Sequence, residues 1–430
     1  MDRRKFLMGA GALSAATILP EPLYARERRP ESGFSILQGL TTETTTQLSV
    51  DIERNLIVHY SLTDVETGKI FVPTVKAVRQ SSSDMRVDKL KFTGLELNHK
   101  YKLLVQDKKK KVLDERFLKT VDLNKKNARI GFMSCMNDSF GDMRDAWQAA
   151  ASVEVDYLFF IGDSVYGDML WLHGPNYLWR RYVNTRAKLP FYHWKNLTPV
   201  IAIWDDHDFG KNDRGGDYEH KDVAYEYFQT FFAQEPLEND QVFLNGFGNS
   251  RYFQAFGQNF VFFDSRFYRG LTNSAGQKGF LGVEQIDWMS KVIYDRPKPT
   301  LAITGSPFYG RLQKTASYQV NAPEEFEYFK QKMRGWGVPA MFIAGDLHYS
   351  EVSSIAKSEV GYDTVEIVSS CMHSTKKTKY YDNPNPHISG YTNENFIVLE
   401  KSGLSFDPTW RMTCIAASGK IPFEGDIEIG

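Results

Sequence analysis

Two hydrophobic rhythms divide the chain. Over residues 34–120 apolar and polar positions form short runs, among them "TTTQLSVDI", "NLIVHYSL", "DKLKFTGL", "HKYKLLVQD" and "ERFLKTV". Their regular spacing, polar turns and lack of a helical period predict a small β-sandwich over 34–122. The basic run Lys108 to Lys111 lies between two such segments. It therefore reads as a solvated hairpin turn, not a nucleic-acid patch. Past the polar segment "VDLNKKNA" the rhythm changes. The apolar runs "ARIGFMSC", "VDYLFFIGD", "PVIAIWDD", "NFVFFDSR", "TLAITGSP" and "AMFIAGD" are separated by amphipathic segments that include 142–153, 222–234, 283–295 and 323–335. This alternation predicts a second unit over 127–430, an α/β architecture with sheet covered by helices on both faces.

The apolar runs end in polar groups. Ser134-Cys135, Gly162-Asp163, Asp205-Asp206-His207, Asp264-Ser265-Arg266 and Gly345-Asp346-Leu347-His348 each close one run. In open α/β sheets, ligands bind beyond the carboxyl ends of strands, so these tips can meet in space. Asp205-Asp206-His207-Asp208 is the densest of them. Its carboxylates repel one another, favour neither helix nor strand, and call for a cation or ample water. Taken singly the others are weaker. Cys135 suits a buried small hydrophobe as well as a ligand, His348 a satisfied core histidine, and Tyr166 packing.

Composition narrows the class. A hydrophobic fraction of 42% excludes a disordered chain, and a net charge of −1 excludes global steering toward nucleic acid or an anionic membrane. Three cysteines, Cys135, Cys371 and Cys414, are too few and too odd for a disulfide framework. The first 25 residues pair Arg3-Arg4 with Phe6-Leu7 and a weakly apolar run from Met8 to Leu19, ending near Leu23-Tyr24-Ala25. They resemble a twin-arginine export signal. That implies the export machinery as a partner and a periplasmic, extracellular or envelope location. No later stretch is long and apolar enough to cross a membrane.

Together "SCMND", "GDSVYGD", "WDDHDFGKND", "DSRFYRG", "GFLGVEQIDWM" and "GDLHYSE" occur in the order seen in the PhoD-like alkaline phosphatases. These are a branch of the calcineurin-like metallophosphoesterases, and the resemblance spans essentially the whole chain. It implies an α+β four-layer catalytic fold, β-sheets flanked by helices. Thr93-Gly94-Leu95 before the strand around Tyr101 makes the N-terminal sandwich similar to a fibronectin-type-III module.

The resemblance also implies roles. Cys135 stands where ordinary members carry D-x-H, Asp163 is the carboxylate bridging two metals, and Tyr166 is a phenolate ligand. Asp206 takes a metal-ligand position and His207 that of the histidine facing the leaving group. Asp346 replaces one histidine of the last motif and His348 keeps the other. Cys135, Tyr166, His348 and Asp163 suit a trivalent transition metal, Fe(III). The oxygen donors Asp163, Asp206 and Asp346 suit Ca²⁺, with Mg²⁺ or Mn²⁺ as alternatives, and Zn²⁺ is a further alternative for the pair. The implied reaction is hydrolysis of phosphate mono- or diesters by a metal-activated hydroxide, with His207 stabilising or protonating the departing alkoxide. Asp208, or equally Asp205, would orient its imidazole. Asn212 would contact phosphate or metal, or close a turn. Arg266 and Arg269 would clamp phosphate or make structural ion pairs. Gln285 and Trp288 read as packing, His373 and His387 as surface residues of a loop near the site mouth. A non-catalytic envelope protein that binds phosphate polymers is the alternative, and it would be expected to have lost motif ends.

Overall fold

The computed structural model describes residues 33–427 except 141–142, 170–171, 238–241, 273–275, 311–316, 381–382 and 403–408. The expected export signal, residues 1–25, lies outside the described residues. Among the described residues the fold is mixed α/β, with four sheets and mostly strand. Among the described residues no helix is long and apolar enough to cross a membrane.

Two of the sheets are four-stranded and antiparallel. One runs Ser35–Thr41, Thr45–Glu53, Met85–Thr93, Thr74–Arg79. The other runs Ile70–Phe71, Val58–Asp64, Lys100–Asp107, Val112–Lys119. Alternate side chains from both, such as Ile36, Val50, Phe92, Leu62 and Leu103, form one core. Lys108 to Lys111 is the turn between two paired strands. Asp107 Oδ1 accepts the N–H groups of Lys109 and Lys111 at 2.8 and 2.9 Å, which pins that turn. These sheets are joined firmly to the rest of the protein. Arg186 is buried and donates to the carbonyls of Ser35 at 3.1 Å and Ser49 at 2.8 Å, with Asp51 at 3.3 Å.

The six apolar runs after residue 128 all form strands, but they divide between two sheets. Arg129–Met133, Tyr157–Ile161 and Val200–Ile203 run parallel in a six-stranded sheet. Asn395–Ser402, Thr409–Ala416 and Glu424–Ile427 extend that sheet antiparallel. Gln258–Phe263, Thr300–Thr304 and Ala340–Ala344 run parallel within an eight-stranded sheet. The two sheets face each other: Phe159 of one meets Phe260 and Phe262 of the other edge-on at 5.2 and 5.0 Å.

Helices pack on the outer faces. Trp147 of Arg144–Ala151 meets Phe160, and Phe329 of Pro323–Arg334 meets Phe263. One expectation is thereby corrected. The six strands of the apolar runs have both faces buried, but one face meets the other sheet and only the opposite face meets helix. A buried strand carries apolar residues on both faces whatever covers them, so the pattern alone could not separate these cases.

Candidate metal centre

The parallel strands deliver their polar tips to one place. Cys135, Asp163, Asp206 and Asp346 each follow a strand by two or three residues. Cys135, Asp163, Asp346 and His348 have φ of 54, 54, 70 and 58°, left-handed backbone that non-glycine residues adopt at a cost. Four such residues at the tips of three strands mean that the surrounding packing holds them there. Two glycines permit the approach. A Cβ on Gly345 would lie 2.5 Å from the Ile161 carbonyl of the facing sheet, and one on Gly162 2.7 Å from Asp205 Cβ.

Two groups of donor atoms result. Cys135, Asp163 and His348 place ligand atoms within 4.8 Å of one another, and so do Asp163, Asp206 and His207. Asp163 belongs to both. Cys135 Sγ lies 3.7 Å from Asp163 Oδ2 and 3.1 Å from Ser370 Oγ. His348 Nδ1 lies 2.7 Å from the Thr375 carbonyl. A carbonyl only accepts, so Nδ1 carries the proton and Nε2 is left with its lone pair. Burial holds the His348 imidazole down at about 4, hence neutral. Tyr166 bonds Ser374 Oγ at 3.0 Å, and its ring stacks on that of His207 at 4.1 Å. Asp346 stands outside both groups, though close enough to Asp205 and Asp206 for their charges to act on it.

The electrostatics are those of a site built around positive charge. Burial, then the charges of Asp205 and Asp206, push Asp346 up to about 8. Burial and neighbouring acids also raise Asp163, Cys135 and Tyr166. Asp206 goes the other way: burial works to raise it, but Arg266 and His207 outweigh this and hold it below the usual carboxylate range. A buried thiol, phenol and several carboxyls lie together, and a cation among them would ionise what burial now keeps protonated. The donor set thus fits a metal.

Around this set the expected roles change in places. The partner of the His207 imidazole is Asp168, whose Oδ1 lies 2.6 Å from Nδ1. Asp208 was the expected orienting residue and does not touch that ring. Its carboxylate accepts the N–H groups of Val165 at 2.8 Å and Asp205 at 3.1 Å. With Asp205 it forms a capping box on the short helix Asp206–Phe209, which Gly210 ends at φ 107°. The acidic cluster therefore starts a helix, because two of its carboxylates accept the N–H groups of Asp205 and Asp208 at that end. Asp205, the other expected orienting residue, is held by Arg266 Nε at 2.5 Å and Ser306 Oγ at 3.0 Å.

Arg266 is buried and reaches to 3.7 Å from Asp206, with Nη1 unbonded. Arg269 lies over the Phe280 ring at 4.1 Å. Asn212 is exposed; its side chain bonds Asp213 at 2.7 Å and its N–H bonds Asp168 at 2.6 Å, a turn role. His373 is not on the surface. It is buried, accepts from Trp147 Nε1 at 2.9 Å and donates to the Asn137 carbonyl at 3.1 Å, a satisfied core histidine. Gln285 is buried and pairs with the Asp264 backbone at 2.7 and 3.0 Å, fixing that strand tip. Asp168 was missed, although it lies only five residues past Asp163 in "GDSVYGD".

No family model matches the chain and no curated protein matches it.

Proposed function

We propose that the protein is an exported metal-dependent phosphoesterase of the PhoD-like branch, acting on phosphate mono- or diesters. The observation that carries this reading is Asp163, whose carboxylate groups with Cys135 and His348 on one side and with Asp206 on the other. One carboxylate shared by two sets of donors is the arrangement a two-metal hydrolase needs. The facing sheets with helices outside support the four-layer metallophosphoesterase fold. The two N-terminal sheets around one core support the fibronectin-type-III-like sandwich. Export rests on Arg3-Arg4 and the apolar run after them.

In this reading Cys135, Tyr166 and His348 with Asp163 would hold Fe(III), and Asp163 and Asp206, with Asp346 beside them, would hold Ca²⁺. The chemistry such a pair supplies is Lewis acidity: a more acidic water and neutralised phosphoryl charge. The chain's own residues do the rest. His348 Nε2 is aimed by the Nδ1–H bond to Thr375. His207 has Nδ1 engaged by Asp168, so Nε2 is the atom offered to the departing alkoxide. Tyr166 stacked on its ring limits rotation. Arg266 acts through Asp205 and Asp206, holding the carboxylates in place and offsetting their charge.

The test is hydrolysis of p-nitrophenyl phosphate and bis-p-nitrophenyl phosphate by full-length protein purified with its metals. Turnover of one or both that chelation abolishes is expected. A metal-loaded protein that hydrolyses neither, and no other phosphoester, would overturn the reading.

A further inference from the structure

A third donor group lies outside the centre. His173, Glu219 and His220 place ligand atoms within 4.8 Å of one another. They come from two separate segments. His173 precedes the helix Pro175–Lys188, and Glu219-His220 precedes the helix Lys221–Phe232. Gly174 permits the meeting. Its φ of 107° is closed to most residues, and a Cβ there would lie 3.7 Å from His220 Nε2. The His220 ring rests edge-on against Tyr218 at 5.5 Å, and His220 Nε2 lies 3.5 Å from Glu219 Oε1.

Lys211 Nζ lies 3.2 Å from His173 Nε2. An ammonium only donates, so Nε2 presents a lone pair, the state a metal requires.

From this geometry we propose that His173, Glu219 and His220 form a separate zinc site on the surface, which fills by displacing the Lys211 ammonium. Two imidazoles and one carboxylate are the donors of three-ligand zinc sites, with a fourth position left to water. The same set disfavours Ca²⁺ and Mg²⁺, which take oxygen donors. The site differs in chemistry from the buried centre, which offers a thiol, a phenol and several carboxyls.

The experiment uses full-length protein carrying the metals it is purified with, dialysed against buffered low-micromolar Zn²⁺. Metal content is measured for wild type, His173→Ala, Glu219→Gln and Lys211→Ala. Wild type should retain one zinc per chain more than His173→Ala or Glu219→Gln. His173 and Glu219 are exposed, so both variants should keep the wild-type circular dichroism, and either alone suffices if the other misfolds. Lys211→Ala should bind that zinc about tenfold more tightly, having lost a competing cation. Equal zinc in wild type and in a folded His173→Ala or Glu219→Gln overturns the site. Unchanged or weaker zinc binding by Lys211→Ala overturns the displacement.

Discussion

In the N-terminal sheets Arg86 meets Asp88 at 2.8 Å, Arg116 meets Asp114 at 2.7 Å and His99 meets Asp64 at 2.7 Å. At the strand tips of the six- and eight-stranded sheets Asp163, Asp206, Asp346, Cys135 and Tyr166 gather instead, with the cationic side chains His207, Arg266 and Arg269 around them. The backbone differs in the same way. In the N-terminal sheets left-handed non-glycine residues are Asn98 and Lys110; beyond them Cys135, Asp163, Asp346 and His348 adopt that conformation together at strand tips, besides Asp213, Ala233 and Phe256 elsewhere. Paired buried charge serves the fold, since each ion has its counter-ion in the chain. Crowded acid on strained backbone opposes the fold and becomes favourable once an external cation joins it.

The largest test of this contrast is Asp163→Asn. Loss of the shared carboxylate should release metal and lower hydrolysis by roughly 10³-fold or more, the scale of losing a preorganised electrostatic element. Metal analysis and circular dichroism separate this from unfolding. Retained metal and activity would remove Asp163 from the centre.

Next come His207→Ala and Asp168→Asn. The first should cost about 10²-fold or more while metal stays bound, and most for poor leaving groups. The second should cost about 10- to 100-fold with the same leaving-group dependence. The double variant should be no worse than His207→Ala alone, since Asp168 acts through His207. Additive losses would detach Asp168 from that role.

In the N-terminal sheets, Arg86→Met should destabilise by about 3–5 kcal/mol, because it leaves the buried Asp88 carboxylate without its counter-ion and frees the carbonyls of Glu53, Arg54 and Leu56. Metal content and turnover of the folded fraction should not change, which denaturant titration and assay together check.

The smallest effect concerns pH. Burial works to raise the Asp64 carboxyl, but the hydrogen bonds from His99 and the N–H groups of Thr67 and Glu66 outweigh it and hold the carboxyl at about 2, below its ordinary 3.8. The stability it contributes is complete above about pH 4 and is lost as pH falls toward 2. His99→Leu should shrink that acid-dependent loss, read as the denaturation midpoint against pH.

Local pattern made much of the molecule legible. Six apolar runs became six strands, and the segments 142–153, 222–234, 283–295 and 323–335 contain the helices Arg144–Ala151, Lys221–Phe232, Val283–Asp295 and Pro323–Arg334 to within two residues. Pro323 at the start, acids in the first turn and Lys332 and Arg334 in the last show why such a segment is readable. The strands Asn395–Ser402 and Thr409–Ala416 and the helix Pro175–Lys188 were not anticipated. Arg181 and Arg186 are buried on that helix, where a periodicity argument expects solvent.

The sequence by itself determined the strands, their polar tips and thus the donor types available, because each follows from neighbours along the chain. The hydrophobic pattern did not divide the strands between two facing sheets or set Asp163 between donor groups; only the motif resemblance implied these, and packing is what brings those atoms together. Tertiary structure alone decided that Asp168 rather than Asp208 holds His207, and that His373 is core. Each of those outcomes depends on which atoms meet across tens to hundreds of residues, and only packing sets such distances.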